Sequence, residues 1–154
     1  MSQFATGVIV LTVGGEHIHG MTANAFGSVS IEPPLVQCSV ARSAVMHIAV
    51  SSAGRFAVSI MAADQRHLAE YFADRRRPLG PDQFSTVAWK PGPRTGAPLL
   101  TGALAWLECE LVESYRGGDH SIFLGAVLGA SRGPDRPSLL FFDRNYHEIV
   151  PHVR

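Results

Sequence analysis

The residues best suited to bind a small molecule lie in the segment 20–30, GMTANAFGSVS, which directly follows an apolar run. This segment groups small and hydroxyl side chains around one amide, Asn24, and one aromatic ring, Phe26. Small side chains leave backbone N–H groups accessible, so the segment suits a planar ligand that forms several hydrogen bonds. A turn with ordinary hydrogen bonds from Ser and Thr to the backbone explains the same residues, and spacing alone favours that simpler interpretation.

Two further segments could contact a ligand. Residues 38–43, CSVARS, leave a predicted strand and enter a predicted helix, where N–H groups beside Arg42 and Ser43 can bind a phosphate. A helix cap next to a surface arginine is an equally good interpretation. The turn 117–119, GGD, delivers His120 to the start of a strand, although a lone histidine in a hairpin is more often structural than catalytic.

Several common sites are not encoded. The sequence has no G-x-G-x-x-G after a strand, no P-loop and no H-E-x-x-H motif. His17 and His19 are two residues apart, and we expect exposed hairpin positions rather than metal ligands, so no metal site is predicted. Cys38 and Cys109 are far apart and form no CxxC pattern, which indicates buried thiols in a reducing compartment.

The composition narrows the class of protein. The 154 residues are 46% hydrophobic and 17% charged, which is typical of a globular domain and excludes a disordered chain. Thirteen Lys+Arg balance thirteen Asp+Glu, so nucleic-acid binding is disfavoured. No apolar stretch is long enough for a membrane helix and no signal peptide is evident, so we expect a cytoplasmic protein. We expect one domain over residues 1–154.

Short apolar runs separated by Gly and Pro predict the elements that position these residues. Predicted strands cover residues 8–13, 17–24, 35–40, 55–61, 104–115, 120–128 and 139–142. Predicted helices cover 44–52, ended by Gly54, and 64–73, capped by Asp64. Residues 74–98 are predicted to form a solvated surface loop. The run Arg75, Arg76 and Arg77 in it could bind a 2′-phosphate, but a solvated charge run is the favoured interpretation. Six or seven strands at this spacing indicate a closed antiparallel barrel with peripheral helices. The first strand is apolar on both faces, so we expect one face to be covered by a second subunit.

Taken in order, the motifs of the chain resemble those of the flavin reductase family, the small NAD(P)H:flavin oxidoreductases with an FMN-binding split barrel. The matching motifs are FATGV at 4–8, GMTAN at 20–24 with SVS at 28–30, PPLV at 33–36, RS at 42–43, GRFAV at 54–58, GALAWLEC at 102–109, GGDH at 117–120 with Phe123 and Gly125, and PSLLFF at 137–142 before Tyr146. Each motif is weak alone, but the ordered set is specific and covers almost the whole chain.

The resemblance implies a mainly β fold, a six-stranded antiparallel split β-barrel with peripheral helices, that forms a homodimer with flavin near the subunit interface. It implies hydride transfer from NAD(P)H to FMN or FAD, and release of reduced flavin to a partner monooxygenase. His120 is implied as the catalytic residue beside the nicotinamide. The implied flavin-binding residues are Asn24, Ala25, Phe26, Gly27, Ser28, Ser30, Ile31, Cys38, Ser39, Arg42, Ser43, Phe72 and Tyr146.

Two positions depart from the family pattern. Ala25 stands where relatives often have Ser, and Met46 stands where they commonly have Thr. Both changes remove a hydroxyl group, which predicts modest flavin affinity and suits a flavin that diffuses away after reduction. Two other functions stay open at this point: a split-barrel protein that binds flavin or another ligand without reductase activity, and a barrel that serves as an interaction scaffold.

Overall fold

Seven antiparallel strands form the main sheet of this protein, whose computed structural model describes residues 1–149. The strands are β1 (Thr6–Gly7), β2 (Ile9–Val13), β3 (His19–Ala23), β4 (Phe26–Ser30), β5 (Leu35–Ala41), β6 (Arg55–Ile60), β7 (Trp89–Pro91), β8 (Pro98–Leu100), β9 (Ala105–Gly117), β10 (His120–Arg132), β11 (Leu139–Phe142) and β12 (Asn145–Glu148). The α-helices are α1 (Val45–Ala53) and α2 (Arg66–Ala73), and short 3-10 turns cover Gly15–His17, Ala63–Gln65 and Gly80–Phe84. Strands β1, β11 and β12 form a second sheet, and β7 pairs with β8.

The order of the main sheet is β3-β2-β6-β9-β10-β5-β4, so its two edge strands are β3 and β4. Only Asn24 and Ala25 join these edges. Two residues can separate the ends of β3 and β4 by at most about 11 Å, so the sheet has to curl until its edges approach. The two edges do not pair with each other within residues 1–149. The predicted mainly β fold with peripheral helices is confirmed. The main sheet has seven strands rather than six, and it stays open between β3 and β4, where Asn24 and Ala25 form the connection that we call the joint.

Strand β2 is buried on both faces, as its sequence predicts. Ile9 and Leu11 pack into a core with residues of β5, β6 and α1. Val10 faces the opposite way and packs with Phe72 of α2 and Phe84. The prediction that a second subunit covers one face of this strand is therefore wrong, because α2 and the segment that follows it bury that face.

The two helices differ in how well the sequence predicts their ends. Helix α1 ends at Gly54, whose φ of 69° is readily adopted by glycine, as predicted. Helix α2 begins at Arg66, and the predicted cap by Asp64 is wrong. The Asp64 carboxylate instead accepts a hydrogen bond from Arg136 Nη1 at 2.5 Å. The Gln65 side chain caps the preceding 3-10 turn, since its Oε1 accepts the Ala62 N–H at 3.1 Å, and no side chain caps α2 itself.

The segment 74–98 is more ordered than a solvated loop. It contains the 3-10 turn Gly80–Phe84 and the strand β7. Gln83 and Phe84 are buried, and Gln83 Oε1 accepts the Gly20 N–H at 2.9 Å. The prediction of a solvated surface loop over residues 74–98 is therefore wrong, because the segment folds back over β3.

None of the helices within residues 1–149 is long and apolar enough to cross a membrane.

Candidate functional site

A cavity of about 480 Å³ lies beside the joint between β3 and β4. Its walls come from β3, the joint, β5, the start of α1, the end of α2, the segment after α2 and the start of β10. The side chains and backbone that line it belong to His19, Met21, Thr22, Ala23, Asn24, Ala25, Ser39, Ala41, Ser43, Ala44, Val45, Phe72, Ala73, Arg75, Arg77, Leu79 and His120. We call this space the joint cavity.

Two neighbouring cavities share its boundary. One of about 480 Å³ is lined by Phe4, Phe26 and Ser39, among others, and one of about 180 Å³ by Phe141 and Tyr146, among others. Asn24 lines all three cavities. The larger two have the volume that is typical of sites for small organic ligands. The three cavities therefore place adjoining spaces around the joint, and the larger two are big enough for a small organic ligand.

The floor of the joint cavity depends on Gly20 in β3. A Cβ atom at Gly20 would lie 2.7 Å from Phe72 Cε1 and 3.1 Å from Phe84 Cζ, so glycine lets the aromatic rings pack directly on the strand. Phe72 is 0% exposed, and its ring centroid is 5.0 Å from that of Tyr71 in an edge-on arrangement. Thr22 Oγ1 donates a hydrogen bond to Ala69 O at 2.6 Å, which fixes α2 against β3.

The joint itself is held by strand β5. The Ser39 N–H donates to Ala25 O at 2.9 Å, and Phe26 lies opposite Cys38 in the ladder. Because side chains alternate along a strand, Ser39 faces the joint cavity while Cys38 packs into the core. Burial raises the pKa of the Cys38 thiol to about 12, so this thiol stays neutral and is a packing group rather than a nucleophile.

His120 reaches the cavity from the tight turn between β9 and β10. Gly118 has a φ of 64°, a conformation that glycine readily adopts in such a two-residue turn. His120 Nδ1 lies 2.8 Å from Asp119 Oδ1, and this hydrogen bond holds the pKa of the Asp119 carboxyl below its ordinary value. A carboxylate only accepts hydrogen bonds, so Nδ1 carries the hydrogen and Nε2 is the acceptor of the neutral ring. The His120 side chain is 46% exposed, which leaves it accessible to a ligand.

His19 contradicts the prediction of an exposed hairpin histidine. It is only 4% exposed, because the segment 74–98 covers it. Its Nε2 lies 3.3 Å from Arg77 Nη2, and its Nδ1 lies 3.3 Å from Gln83 Nε2. Burial, reinforced by the Arg77 charge, lowers the pKa of His19 to about 4, so the ring is neutral at physiological pH. His17 lies in a 3-10 turn rather than on the strand, so the two rings do not share a strand face.

The structure brings together about half of the predicted site residues. The joint cavity is lined by Asn24, Ala25, Ser39, Ser43, Phe72 and His120; Phe26 lines the second large cavity and Tyr146 the small one. Gly27, Ser28, Ser30, Ile31, Cys38 and Arg42 line none of these three. The first four follow the joint along β4 and its end, and Arg42 is exposed. Met46, at the family's Thr position, is fully buried in the core.

Eleven of the seventeen lining residues are not among the predicted site residues, and four of these eleven are Thr22, Arg75, Arg77 and Leu79. Thr22 lies in the predicted segment but was not singled out, and the other three belong to the segment predicted as a surface loop. Their position depends on how that segment crosses β3, for which no local pattern exists. Within residues 1–149, no group of three His, Cys, Asp or Glu side chains could hold a metal ion.

A hydrolase-like pattern at residues 129–133, GASRG, matches G-x-S-x-G. Such a serine acts as a nucleophile when it lies on a sharp turn from a strand into a helix. Ser131 instead lies within β10, opposite Trp106 of β9. The pattern therefore has no structural support as a nucleophile.

The chain belongs to the flavin reductase family: the family described as "Flavin reductase like domain" matches residues 1–150. It is 50% identical over 149 residues, 97% of this chain and 82% of the relative, to an NADH-dependent FAD reductase of Streptomyces globisporus. It is 37% identical over 151 residues to the reductase component of 4-hydroxyphenylacetate 3-monooxygenase of Thermus thermophilus, covering 97% and 93% of the two chains. The predicted family is therefore confirmed.

Solved structures agree with this assignment. The flavin reductase component of a bacterial two-component tryptophan halogenase has a TM-score of 0.94 and 48% identity, covering 98% of this chain and 94% of that chain. The NADH:FAD oxidoreductase of Streptomyces globisporus, in complex with NAD and FAD fragments, has a TM-score of 0.93 and 46% identity, covering 99% and 90%.

The residues present at the joint fit a flavin nucleotide. A planar ring needs flat apolar walls and hydrogen-bond groups at its edge, and the joint cavity combines Phe72 and Met21 with Asn24, Ser39 and Ser43. A phosphate needs cationic or N–H donors, which arginine side chains in the lining provide. No carboxylate is among the described lining residues, so nothing there repels an anion.

Proposed function

We propose that this chain is an NADH-dependent flavin reductase that binds FMN or FAD at the joint between β3 and β4. The observation that carries the proposal is the pair of cavities of about 480 Å³ that meet at Asn24 and Ala25. Their position supports two adjacent ligands at one site. The 50% identity to an NADH-dependent FAD reductase over 97% of the chain supports the choice of ligands.

The protein's own contribution is binding and orientation. Flavin and NADH supply the hydride-transfer chemistry when they are bound together, and the protein has to stack and align them. Asn24, Ser39 and Ser43 offer hydrogen-bond groups along the cavity wall, while the buried Phe72 keeps the floor rigid. The exposed residues of β4, namely Ser28 with Val29, are available to extend this surface.

His120 orients the nicotinamide in this proposal. Its Nδ1–H is held by Asp119, so the neutral ring presents Nε2 as an acceptor for the carboxamide N–H group. The same contact fixes the ring's rotation before a substrate arrives. This side chain therefore acts by positioning the hydride donor, and the cavity retains its hydrogen-bond groups for the flavin when His120 is removed.

The test is steady-state NADH oxidation with FMN or FAD by wild-type protein and by His120→Ala. We expect turnover to fall by about 10- to 100-fold, because misalignment of reacting groups is costly, while the flavin dissociation constant changes by less than about 2-fold. His67→Ala, at an exposed position of α2, is the matched control and should behave as wild type. Unchanged turnover in His120→Ala would refute the role of His120.

A second outcome bears on the whole function. If the wild-type protein binds flavin but oxidises neither NADH nor NADPH with FMN or FAD, it is a ligand-binding split barrel rather than a reductase. Equilibrium titration of flavin fluorescence together with the oxidation assay separates these two functions.

The active form in this proposal is a homodimer with flavin near the seam. Several apolar side chains of β4 and β9 are exposed, among them Val29, Val112 and Tyr115, and Ile31 at the end of β4 is 91% exposed. Covering such side chains is a common reason for association. The site residues Gly27, Ser28, Ser30 and Ile31 lie in the same region. Sedimentation equilibrium should give twice the chain mass, and Ile31→Asp should shift it toward the monomer.

The partner in this proposal is a separate flavin-dependent monooxygenase that receives the reduced flavin. Relatives named as the reductase component or reductase subunit of a monooxygenase support this assignment. The place of action is the cytoplasm, which two free buried cysteines support. Product formation by such a monooxygenase should require this chain, NADH and flavin together.

A further inference from the structure

We propose that Arg75 binds a phosphate group of the nucleotide that fills the joint cavity, in a segment that Arg77 holds in place. This inference rests on the proposed function and names a recognition residue within it. Arg75, Arg76 and Arg77 are consecutive, yet the structure gives each a different surrounding, and only Arg75 and Arg77 line the cavity.

Arg77 serves the structure of the segment. Its guanidinium donates to Gly20 O in β3 and, at 2.8 Å, to Asp74 O. It also faces the buried His19 ring at 3.3 Å. Burial lowers the pKa of Arg77 from its ordinary value, although it remains a cation at neutral pH. Its hydrogen bonds fasten the segment after α2 across β3, which makes Arg77 a positioning residue.

Arg76 does not line the cavity and instead binds the carboxylate of Asp74. Its Nε and Nη2 donate to the two oxygens of Asp74 at 3.1 Å and 3.2 Å, and its backbone N–H donates to Asp74 Oδ1 at 2.9 Å. These contacts hold the pKa of Asp74 below its ordinary value. Asp74 is thereby unavailable to Arg75.

Arg75 is left without a protein partner. No hydrogen bond or ion pair within residues 1–149 involves its guanidinium, and it lies at the cavity wall. The ionisable side chains in the lining are His19, Arg75, Arg77 and His120, with no Asp or Glu. His19 is neutral, and the Asp119 carboxylate lies outside the lining, where it is bonded to His120. Arg75 and Arg77 therefore give the lining of the cavity a net positive charge.

An arginine in such a place recognises phosphate. Its planar guanidinium matches two phosphate oxygens with two parallel N–H donors, and no carboxylate competes for it. FMN and FAD carry phosphate, and so do NADH and NADPH. The shared chemistry is a phosphate ester or diphosphate, and the source is decided by comparing ligands that differ only in phosphate.

The experiment compares Arg75→Ala with Arg132→Ala in the full chain. Riboflavin, FMN and FAD are titrated by fluorescence quenching, and NADH and NADPH by their own fluorescence. A charge-assisted hydrogen bond at an exposed site predicts about 5- to 10-fold weaker binding of the phosphate-bearing ligand by Arg75→Ala. Arg132→Ala, at an exposed position of β10 outside the cavity lining, should match wild type for every ligand.

The pattern of loss identifies the phosphate. Weaker FMN and FAD binding with unchanged riboflavin binding assigns the flavin phosphate, and weaker NADH and NADPH binding assigns the dinucleotide. A loss confined to NADPH assigns its extra phosphate. Equal affinities of Arg75→Ala and Arg132→Ala for all five ligands would overturn the proposal. Binding without NADH oxidation by the wild type would overturn only the reductase function, and no binding of any ligand would overturn both.

Discussion

The buried His19 predicts that stability falls on mild acidification. The folded protein holds the pKa of this ring near 4, against 6.5 for an ordinary histidine, because the ring is desolvated and faces the Arg77 cation. Above pH 6.5 the ring is neutral in both folded and unfolded chains. Between pH 6.5 and pH 4 the ring is protonated in the unfolded chain but stays neutral in the folded chain. The free energy of unfolding therefore decreases as the pH falls from 6.5 to 4.

The size of the effect follows from the two pKa values. One pKa unit corresponds to about 1.4 kcal/mol, so the loss is about 1.4 kcal/mol at pH 5.5 and about 2.5 kcal/mol at pH 4.5. This is a large part of the stability of an ordinary domain. Other groups also titrate in this range, so the relevant quantity is the difference between wild type and a variant that cannot be protonated at position 19.

The assay is urea unfolding between pH 7.5 and pH 4.5 for wild type, His19→Gln and the exposed-site control His67→Gln. We expect His19→Gln to lose about 2.5 kcal/mol less than wild type over this range, whatever its stability at pH 7.5. His67→Gln should follow the wild-type profile. Parallel profiles of wild type and His19→Gln would refute the reasoning, since they would show that the ring is protonated in the folded state.

Two further predictions concern packing. Gly20→Ala should lower the free energy of unfolding by about 1–3 kcal/mol in urea, because its Cβ would lie 2.7 Å from the buried Phe72 ring. Gly27→Ala, whose Cβ would meet nothing within 4 Å, is its control, and equal losses would contradict the steric argument. Glu108→Ala should cost about 1–3 kcal/mol in thermal unfolding, because it leaves the Thr95 N–H and hydroxyl without the Glu108 Oε1 acceptor that lies 2.9 Å and 2.8 Å away. Its flavin affinity should stay at the wild-type value, and an equal weakening of flavin binding would contradict the separation of this buried site from the joint.

Strands with a strong local pattern were predictable. The apolar runs at 35–40, 55–61 and 139–142 match β5, β6 and β11 to within one residue, because β-branched and aromatic residues suit a pleated buried surface. Strand β4 was not predicted. Its sequence, FGSVS, is short and rich in small residues, so it carries no periodic signal, and pairing with β5 is what makes it a strand.

The residues of the candidate site also fall into two groups, those that local motifs predict and those that only distant contacts place. Asn24, Ser39, Ser43 and His120 were predicted from motifs that surround them in the chain, and the structure gathers them around one cavity. For Arg75 the sequence favours a solvated charge run over a phosphate contact. Three consecutive arginines look alike in sequence, and which of them faces a ligand depends on contacts with residues far away in the chain.

The sequence by itself determined the mainly β class, the flavin reductase family and two segments that meet at the joint, residues 20–30 and 38–43. These properties follow from hydrophobic period and local motifs, which act over a few residues. The tertiary structure alone decided that the sheet opens between β3 and β4, that His19 is buried and that Arg75 lines the cavity. All three result from the segment 74–98 and the curl of the sheet, whose contacts join residues distant in sequence and are set by packing.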